Sequence, residues 1–239
     1  MKRRSVMQSL LPIYVLMLFC VFIVTTLIDR SVITIAENQM LAERKCIVID
    51  PGHGGIDGGA TSCTGILESN INLEIALKLN DLMHYIGIDT VLIRNCDQSI
   101  HTEGTSIAQK KISDLKNRVN IVNNQDDAIL ISIHQNHFPD EKYYGPQVFY
   151  GKTGESRELA IQLQDSLTKS LCPENKRKAK AASGIYLMDK IDRVGVLIEC
   201  GFISNYEEAT KLTTPDYQKQ LCCVVGSVTA CYLNGAMIS

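Results

Sequence analysis

Three apolar runs of strand length in this sequence are each followed by a side chain that can bind a metal ion or move a proton. The runs and the residues that follow them are 46–50 before His53, 128–133 before His134, and 194–198 before Glu199. In α/β proteins, functional groups collect beyond the carboxyl ends of the strands. If the three runs form parallel strands, these side chains therefore meet at one edge of the sheet.

His53 has a sequence context that suits a functional residue in a tight loop. Pro51 lacks an amide donor and fixes φ, so the first strand is expected to stop there. The glycines on both sides, Gly52 and Gly54, allow a sharp turn and leave the imidazole uncrowded. His53 is therefore a candidate metal ligand or base.

Glu68 adds a second carboxylate to this set, because it stands at the first turn of a predicted helix after the loop that follows His53. Two histidines and one carboxylate make a catalytic zinc site that leaves a position open for water. A further carboxylate beside the metal can act as a base and an acid. The residues alone do not separate the glutamate that binds from the one that moves protons, and their spacing differs from the HExxH pattern.

The elements that must position these residues alternate between strands and helices. Apolar residues, among them Ile71, Ile75 and Leu79, recur at helical spacing from Glu68 onward. A strand is predicted at 90–94, which completes a β-α-β pattern that favours parallel pairing. The other predicted helices are 106–123, 155–171, 207–212 and 215–233, and the other short strands are 147–150 and 185–188.

The N-terminal part of the sequence predicts a membrane anchor and a linker ahead of a catalytic domain. Basic residues at 2–4 precede a nearly charge-free apolar run at 10–28, which is long enough to cross a bilayer as a helix. The basic residues keep the N-terminus cytoplasmic, so the rest of the chain is expected outside the cytoplasm. We therefore divide the sequence into a signal-anchor or transmembrane segment at 1–30, a linker at 31–44 and a domain at 45–239.

A cleaved signal peptide is the main alternative to this anchor, and it would make the protein secreted. The apolar core of a signal peptide is normally shorter, and the small-residue exit near Ala36 is a weak one. A lipid anchor on Cys20 is disfavoured, because Met17, Leu18 and Phe19 are too bulky for that processing site.

Composition places the chain among ordinary globular proteins. The formal net charge is −2, so nothing points to nucleic acid as a partner. The nine cysteines show no CxxC pair and no metal-knuckle spacing, and we expect most of them to be small buried hydrophobic residues. The basic run at 173–182 fits a solvated loop, with contact to an anionic polymer as the alternative.

Five blocks of residues occur in the order typical of one enzyme family. They are Val48–Gly55 with Asp57, Gly59 and Ala60; Glu68 with Asn72 and Leu73; Leu115, Arg118 and Asn123; Ile131–His134; and Leu197–Asn205. Together they resemble, over roughly residues 45–233, the zinc-dependent N-acetylmuramoyl-L-alanine amidases, the Amidase_3 group. The resemblance implies a zinc ion held by His53, Glu68 and His134, with Glu199 as the catalytic carboxylate. It also implies an α/β fold with a mixed, largely parallel central sheet and helices on both faces.

The resemblance further implies an activity and a place of action. The reaction is hydrolysis of the amide between N-acetylmuramic acid and L-alanine of the peptidoglycan stem peptide. The segments Tyr144–Tyr150 and Ser183–Leu187 look like the spore-cortex amidases, which make muramic-lactam precursors in endospore-forming bacteria. The implied partners are the glycan strand with its stem peptide and, through the N-terminal segment, the membrane. The role of an accessory protein is left open by the sequence.

Other functions remain alternatives. A vegetative cell-wall autolysin is the alternative within the family. A zinc carboxypeptidase or deacetylase shares the broad chemistry, but only an amidase frees intact stem peptides. A catalytically silent wall-binding scaffold is expected to have lost a ligand or the catalytic glutamate, and this chain keeps all four residues.

Several further polar residues receive no catalytic assignment. His137 lies three residues after His134 and competes with it as a ligand, and we prefer His134 because it directly follows the predicted strand. We expect no catalytic role for the remaining histidines, which are His84 and His101. Arg94 and Arg118 are expected to be structural or surface groups.

Overall fold

The computed structural model describes residues 16, 17, 19, 22–26 and 45–235. Residues 22–26 are helical, and within the described residues there is no helix with the length and apolar character needed to cross a membrane. The predicted anchor at 1–30 lies mostly outside the described residues, and the linker at 31–44 lies wholly outside them. Both therefore stay predictions.

The described residues from 45 onward contain six strands and six helices, joined by loops. The strands are β1 (Ile47–Pro51), β2 (Thr90–Leu92), β3 (Ile129–Asn136), β4 (Gln147–Tyr150), β5 (Lys180–Ala181) and β6 (Val194–Phe202). The helices are α1 (Glu68–Tyr85), α2 (Ile107–Asn123), α3 (Gly154–Leu171), α4 (Tyr186–Lys190), α5 (Tyr206–Leu212) and α6 (Pro215–Leu233). All of them belong to one unit, Glu43–Ser239.

The strands form one sheet in the order β2-β1-β3-β6-β4-β5. Every neighbouring pair runs parallel except β4 and β6, which are antiparallel. The strands β1 and β3 are near-continuous apolar runs, as expected for parallel strands that are buried on both faces. The predicted mixed, largely parallel sheet is confirmed.

Side chains alternate across the sheet and build a hydrophobic core on each face. On one face, Ile47, Ile49 and Ile131 pack with apolar side chains of α1, α3 and α6. On the other face, Val48 and Leu130 pack with side chains of α2 and α4. The predicted layers of helices on both faces of the sheet are therefore confirmed.

Two strands are longer than the sequence predicts. The strands β3 and β6 continue past His134 and Glu199, so these side chains lie within strands and not after them. In the pairing of β3 with β6, His134 lies opposite Glu199. The register of the two strands then shifts between His134 and Asn136. Beyond the strand, Ile203 N donates to Asn136 O over 2.8 Å. The backbone pairs here because its polar groups need partners whatever the polarity of the side chains.

The predicted strand at 185–188 is wrong, because this run opens helix α4. Leu187 and Met188 are buried there, and a short apolar run gives the same signal in a buried helical turn as in a strand. The basic run at 173–182, which we expected to be a loop, contains strand β5 at its end.

The expectation that most cysteines are buried is also wrong. Of the eight cysteines in the described part of the chain, Cys200 and Cys222 are buried, whereas Cys63, Cys96 and Cys223 are exposed. Cys63 and Cys96 lie in loops. On α6, Cys223 faces away from the core although its neighbour Cys222 is buried, because an apolar run in the sequence does not decide which side of a helix faces the core. All eight are free thiols.

Candidate metal centre

The structure brings His53, Glu68 and His134 together beyond the centre of the sheet. Nε2 of His53 lies 3.3 Å from Oε1 of Glu68, and Nδ1 of His134 lies 3.0 Å from the same oxygen. One ligand atom from each residue lies within 4.8 Å of the others. Ligands at about 2.0–2.2 Å from a tetrahedral zinc ion lie about 3.4 Å apart. The three side chains therefore form a group that could hold a metal ion with little movement.

Each of these three side chains also has a contact on the side that faces away from the other two. Nδ1 of His53 lies 2.9 Å from Oδ2 of Asp57, and Oε2 of Glu68 accepts a hydrogen bond of 3.0 Å from the amide of Ala60. The imidazole of His134 packs closely against Gly52: a side chain on Gly52 would place its Cβ 2.2 Å from Nε2 of His134. Such outer contacts fix the orientation of metal-binding side chains. They leave Nε2 of His53, Oε1 of Glu68 and Nδ1 of His134 facing one another.

The contacts among these side chains change their protonation. Burial lowers the pKa of His53, but the hydrogen bonds to Glu68 and Asp57 outweigh it and raise that pKa to about 9. Burial raises the pKa of Glu68, but His134 and His53 hold it well below its usual range. Because a metal ion binds the neutral imidazole, it has to compete with a proton on His53.

His53 adopts an unusual backbone conformation for a residue with a side chain. Its φ is 61°, in the left-handed region that costs energy for residues other than glycine and is often found at functional sites. Its carbonyl oxygen accepts a hydrogen bond of 2.7 Å from Nη2 of Arg118. The conformation is therefore held in place by a contact from helix α2.

Two buried arginines hold the segment that leads to His53. Arg94 and Arg118 are 2% and 3% exposed. Arg94 donates from Nε to the carbonyl of Pro51 over 2.9 Å and from Nη2 to that of Gly52 over 3.0 Å. Nη1 of Arg118 donates to Pro51 over 3.0 Å. Both arginines are structural, as expected, but neither is a surface group.

Sequence reasoning missed the carboxylates that neutralise Arg118. Asp50 is fully buried in β1, pairs with Nη1 of Arg118 and accepts a hydrogen bond of 2.7 Å from Oγ of Ser132. Asp114, one turn before Arg118 on α2, lies 2.6 Å from its Nε. Burial raises the pKa of Asp50, but Arg118 and Ser132 outweigh it, so that pKa is lowered. A signal was present, since Asp50 and Ser132 are the polar positions inside two apolar runs.

Glu199 lies beside the three candidate ligands. Its position in β6 pairs with that of His134 in β3, and side chains at paired positions of neighbouring strands point to the same face. Its Oε2 is buried and has no hydrogen-bond partner among the described residues. Burial, together with the charge of Glu68, raises its pKa to about 7, against the opposing effect of His134 and His53. Such a carboxylate can exchange a proton near neutral pH.

These residues face a cleft of about 350 Å³. Its floor holds His53, His134 and Glu199, and its walls come from α2 with the loop before it and from the turn that opens α4. The loop is tied to the helix, since the carboxylate of Asp114 accepts the amide of Ile100 over 2.7 Å. The wall on the α2 side is therefore held together by a contact between the loop and the helix.

The other histidines in the described part of the chain lie apart from this group. His137 is exposed in the loop after β3. His84 contacts the Thr90 hydroxyl over 2.8 Å, and His101 contacts the Ser99 hydroxyl over 2.9 Å. Of these residues, none belongs to the His53, Glu68 and His134 group.

The fold and the site define an α/β protein with a His–Glu–His group able to hold a metal ion, next to an unpartnered carboxylate in a cleft. The sequence profile described as N-acetylmuramoyl-L-alanine amidase, Amidase_3, matches residues 47–225. The chain belongs to this family of enzymes.

Known relatives extend over most of the chain. The germination-specific N-acetylmuramoyl-L-alanine amidase of Bacillus subtilis is 41% identical over 179 residues, which cover 74% of this chain and 75% of the relative. The CwlD amidase of Clostridioides difficile, solved in complex with the GerS lipoprotein, is 38% identical with a TM-score of 0.76, covering 79% of this chain and 98% of that one. An N-acetylmuramoyl-L-alanine amidase structure from Clostridium difficile 630 is 28% identical with a TM-score of 0.68, covering 80% and 97%.

Proposed function

We propose that this chain is a zinc-dependent amidase that cleaves the bond between N-acetylmuramic acid and L-alanine in peptidoglycan during maturation of the spore cortex. One arrangement carries the proposal. Oε1 of Glu68 lies 3.3 Å from Nε2 of His53 and 3.0 Å from Nδ1 of His134, and both histidines line the cleft that also holds Glu199. Family membership supplies the bond that such a site would cleave.

The chemistry divides between the candidate ligands and Glu199. His53, Glu68 and His134 would hold the zinc ion, which when bound acts as a Lewis acid that polarises a carbonyl group and makes water more acidic. Glu199 accepts a proton from the attacking water and delivers it to the nitrogen of the leaving L-alanine. Asp57 keeps Nδ1 of His53 protonated and so leaves Nε2 free to bind.

The proposed setting is the outer side of a membrane in an endospore-forming cell. The germination-specific role in the name of the Bacillus subtilis relative supports the spore cortex over the vegetative wall. The segment at 1–30 would anchor the enzyme, with its catalytic domain outside the cytoplasm. The complex of the Clostridioides difficile relative with a lipoprotein supports an accessory protein of that kind for this chain.

Product analysis on purified peptidoglycan tests the activity. The zinc-loaded protein should release intact stem peptides with a free L-alanine amino group, and a chelator should stop the release until zinc is restored. Release of terminal D-alanine or of acetate would instead identify a carboxypeptidase or a deacetylase. A protein that purifies without zinc and yields no product from cortex or vegetative peptidoglycan would instead identify a scaffold.

A second experiment tests the cortex role. Spores from cells that lack the gene should contain cortex without muramic lactam, while the vegetative wall stays unchanged. A changed vegetative wall with normal cortex would assign the enzyme to autolysis.

A further inference from the structure

Besides the two candidate histidine ligands, the cleft is lined by four carboxylates, one lysine and one arginine, and the lysine and the arginine differ in what they can still bind. The carboxylates are those of Asp50, Asp57, Asp114 and Glu199, and the cations are Lys111 and Arg118. Arg118 is buried, and its Nε, Nη1 and Nη2 all donate to protein oxygens. Of the residues that line the cleft, Lys111 is therefore the cation available to an anionic substrate.

Lys111 is partly held and partly free. Its Nζ lies 2.7 Å from Oδ1 of Asp57, and its side chain is 45% exposed. An ammonium group has three donors, and Asp57 takes one of them. Two donors can therefore reach into the cleft.

The backbone at Lys111 is fixed by the start of α2. Ser106 and Gln109 form a reciprocal capping box one turn before it. Ser113, two residues after it, accepts the amides of Thr102 and Glu103, each over 3.1 Å. The lysine therefore projects from a rigid support beside the candidate metal centre.

The distance from the scissile bond to each anionic group of the substrate decides which of these groups Lys111 can bind. Asp57 also contacts His53 over 2.9 Å, so a single carboxylate separates Lys111 from a candidate metal ligand. In the stem peptide, L-alanine is bonded to the amino group of D-glutamate, and the side-chain carboxyl group of D-glutamate is bonded to the third residue, which leaves its α-carboxylate free. An extended chain advances about 3.3–3.6 Å per residue, so this α-carboxylate lies within about 7 Å of the scissile nitrogen.

We propose that Lys111 is a specificity-determining residue that binds the free α-carboxylate of the second residue of the stem peptide. The inference rests on the proposed amidase function and adds a reason for the enzyme to distinguish two forms of its substrate. In one form this carboxylate is free, and in the other it is amidated. The first can form an ion pair with Lys111, whereas the second offers the ammonium group only a neutral carbonyl oxygen, which is a weaker acceptor.

The test compares two muramyl peptides that differ only at this group, one with D-glutamate and one with D-isoglutamine at the second position. The protein variants are Lys111→Met, which keeps the apolar stem, and Lys111→Arg, which keeps the charge. Lys116→Met is the matched control, since Lys116 lies on the same helix and lines a different groove. For each protein, kcat/KM on both peptides and zinc content are measured.

We expect the unchanged protein to prefer the free carboxylate by roughly ten- to a hundredfold. Lys111→Met should lose this preference by slowing only on the D-glutamate peptide, with zinc content unchanged. Lys111→Arg should keep part of the preference, and Lys116→Met should keep all of it.

Two outcomes would overturn the inference while the amidase function stands. In one, the unchanged protein cleaves both peptides equally well. In the other, Lys111→Met slows both peptides by the same factor, which would mean that Lys111 acts only through Asp57 and His53. If the zinc-loaded, unchanged protein cleaves neither peptide, the proposed function fails and the inference fails with it.

Discussion

Glu68 is the residue on which both candidate histidine ligands converge. Its Oε1 contacts His53 and His134, while its Oε2 is held by the amide of Ala60. Oε1 also accepts a hydrogen bond of 3.2 Å from the amide of Gln135, so the backbone fixes both oxygens and holds Oε1 between the two imidazoles. Glu68 at the start of a helix can therefore complete a group whose histidines come from the loop after β1 and from β3.

The first prediction concerns these candidate ligands. His53→Ala, Glu68→Ala and His134→Ala should each lower zinc occupancy, because each removes one of three donors, whereas His137→Ala should not. Occupancy is measured by metal analysis against a weak competing chelator, since two remaining donors retain some affinity. Full zinc content in Glu68→Ala would show that this glutamate is not a ligand.

The second prediction concerns Glu199. Glu199→Gln keeps the shape of the side chain but cannot accept a proton, so activity should fall by about 10²–10⁴-fold. Zinc content should stay the same, because the variant leaves the three donors in place. Near-normal amidase activity would contradict the assignment, and combined loss of zinc and activity would make Glu199 a fourth ligand.

The same variant has a pH-dependent effect on the stability of the metal-free protein. Folding raises the pKa of Glu199 from 4.5 to about 7, so the native state binds more protons than the unfolded state between these values. The contribution of Glu199 to stability therefore falls as pH rises through this window. Denaturant unfolding should show Glu199→Gln gaining stability relative to the unchanged protein from pH 4.5 to pH 7, and an equal difference at both values would contradict this.

The sequence predicted the metal-binding and proton-transfer candidates, but it did not predict the charged pairs that surround them. His53, His134 and Glu199 follow apolar runs, so a parallel sheet brings them to one edge whatever the details of packing. The contacts of Asp57 with Lys111 and of Asp50 with Arg118 join residues far apart in the chain. Such pairs depend on how α2 packs against the sheet, which no local pattern records.

At the scale of elements, the segment from β1 to His53 depends on arginines from two other elements. Arg94 lies just after β2, and Arg118 lies on α2. Together they donate to the carbonyl groups of Pro51, Gly52 and His53. Gly52 and His53 lie beyond the end of β1, so for their carbonyl groups the arginines supply the partners that the strand no longer provides.

The third prediction tests this support. Arg118→Met should lower the free energy of unfolding by about 3–5 kcal/mol, because it leaves the charge of Asp50 buried without its cation. Chemical denaturation of the metal-free protein measures the change. The double variant Asp50→Asn with Arg118→Met should regain part of the loss, since the unpaired charge is gone. Equal instability of the single and double variants would argue against a charge effect.

Element boundaries were predictable where a local signal marked them. The helix from Glu68 and the helix from Pro215 match the prediction closely, because periodic apolar residues and a proline in the first turn are properties of the sequence itself. The ends of β3 and β6 were not predictable, since they depend on pairing between the two strands. Helix α4 was missed because five residues are too few to show a period.

At the scale of the whole molecule, the catalytic unit has its own core. Apolar side chains on both faces of the sheet pack against helices from within 45–235. We therefore expect the N-terminal segment at 1–30 to determine where the protein is located and to contribute little to the stability of this unit.

The fourth prediction follows from this independence. A chain that starts at residue 43 should fold and bind zinc without detergent, because β1 begins only at Ile47. Circular dichroism and gel filtration check folding and solubility, and the full chain in a membrane fraction is the control. Aggregation of the shortened chain, together with a full chain that stays in solution without detergent, would make the first residues part of the fold.

Both borders of the sheet are formed by its smallest strands. The strand β2 has three residues and β5 has two, and these lie at opposite ends of the strand order. Unpaired backbone groups along a long, flat edge invite another molecule to add a strand, and this is a common start of aggregation. Edges this short offer few such groups, and Lys180 adds a charge to one of them. A second copy of the chain therefore finds little edge backbone to pair with on this sheet.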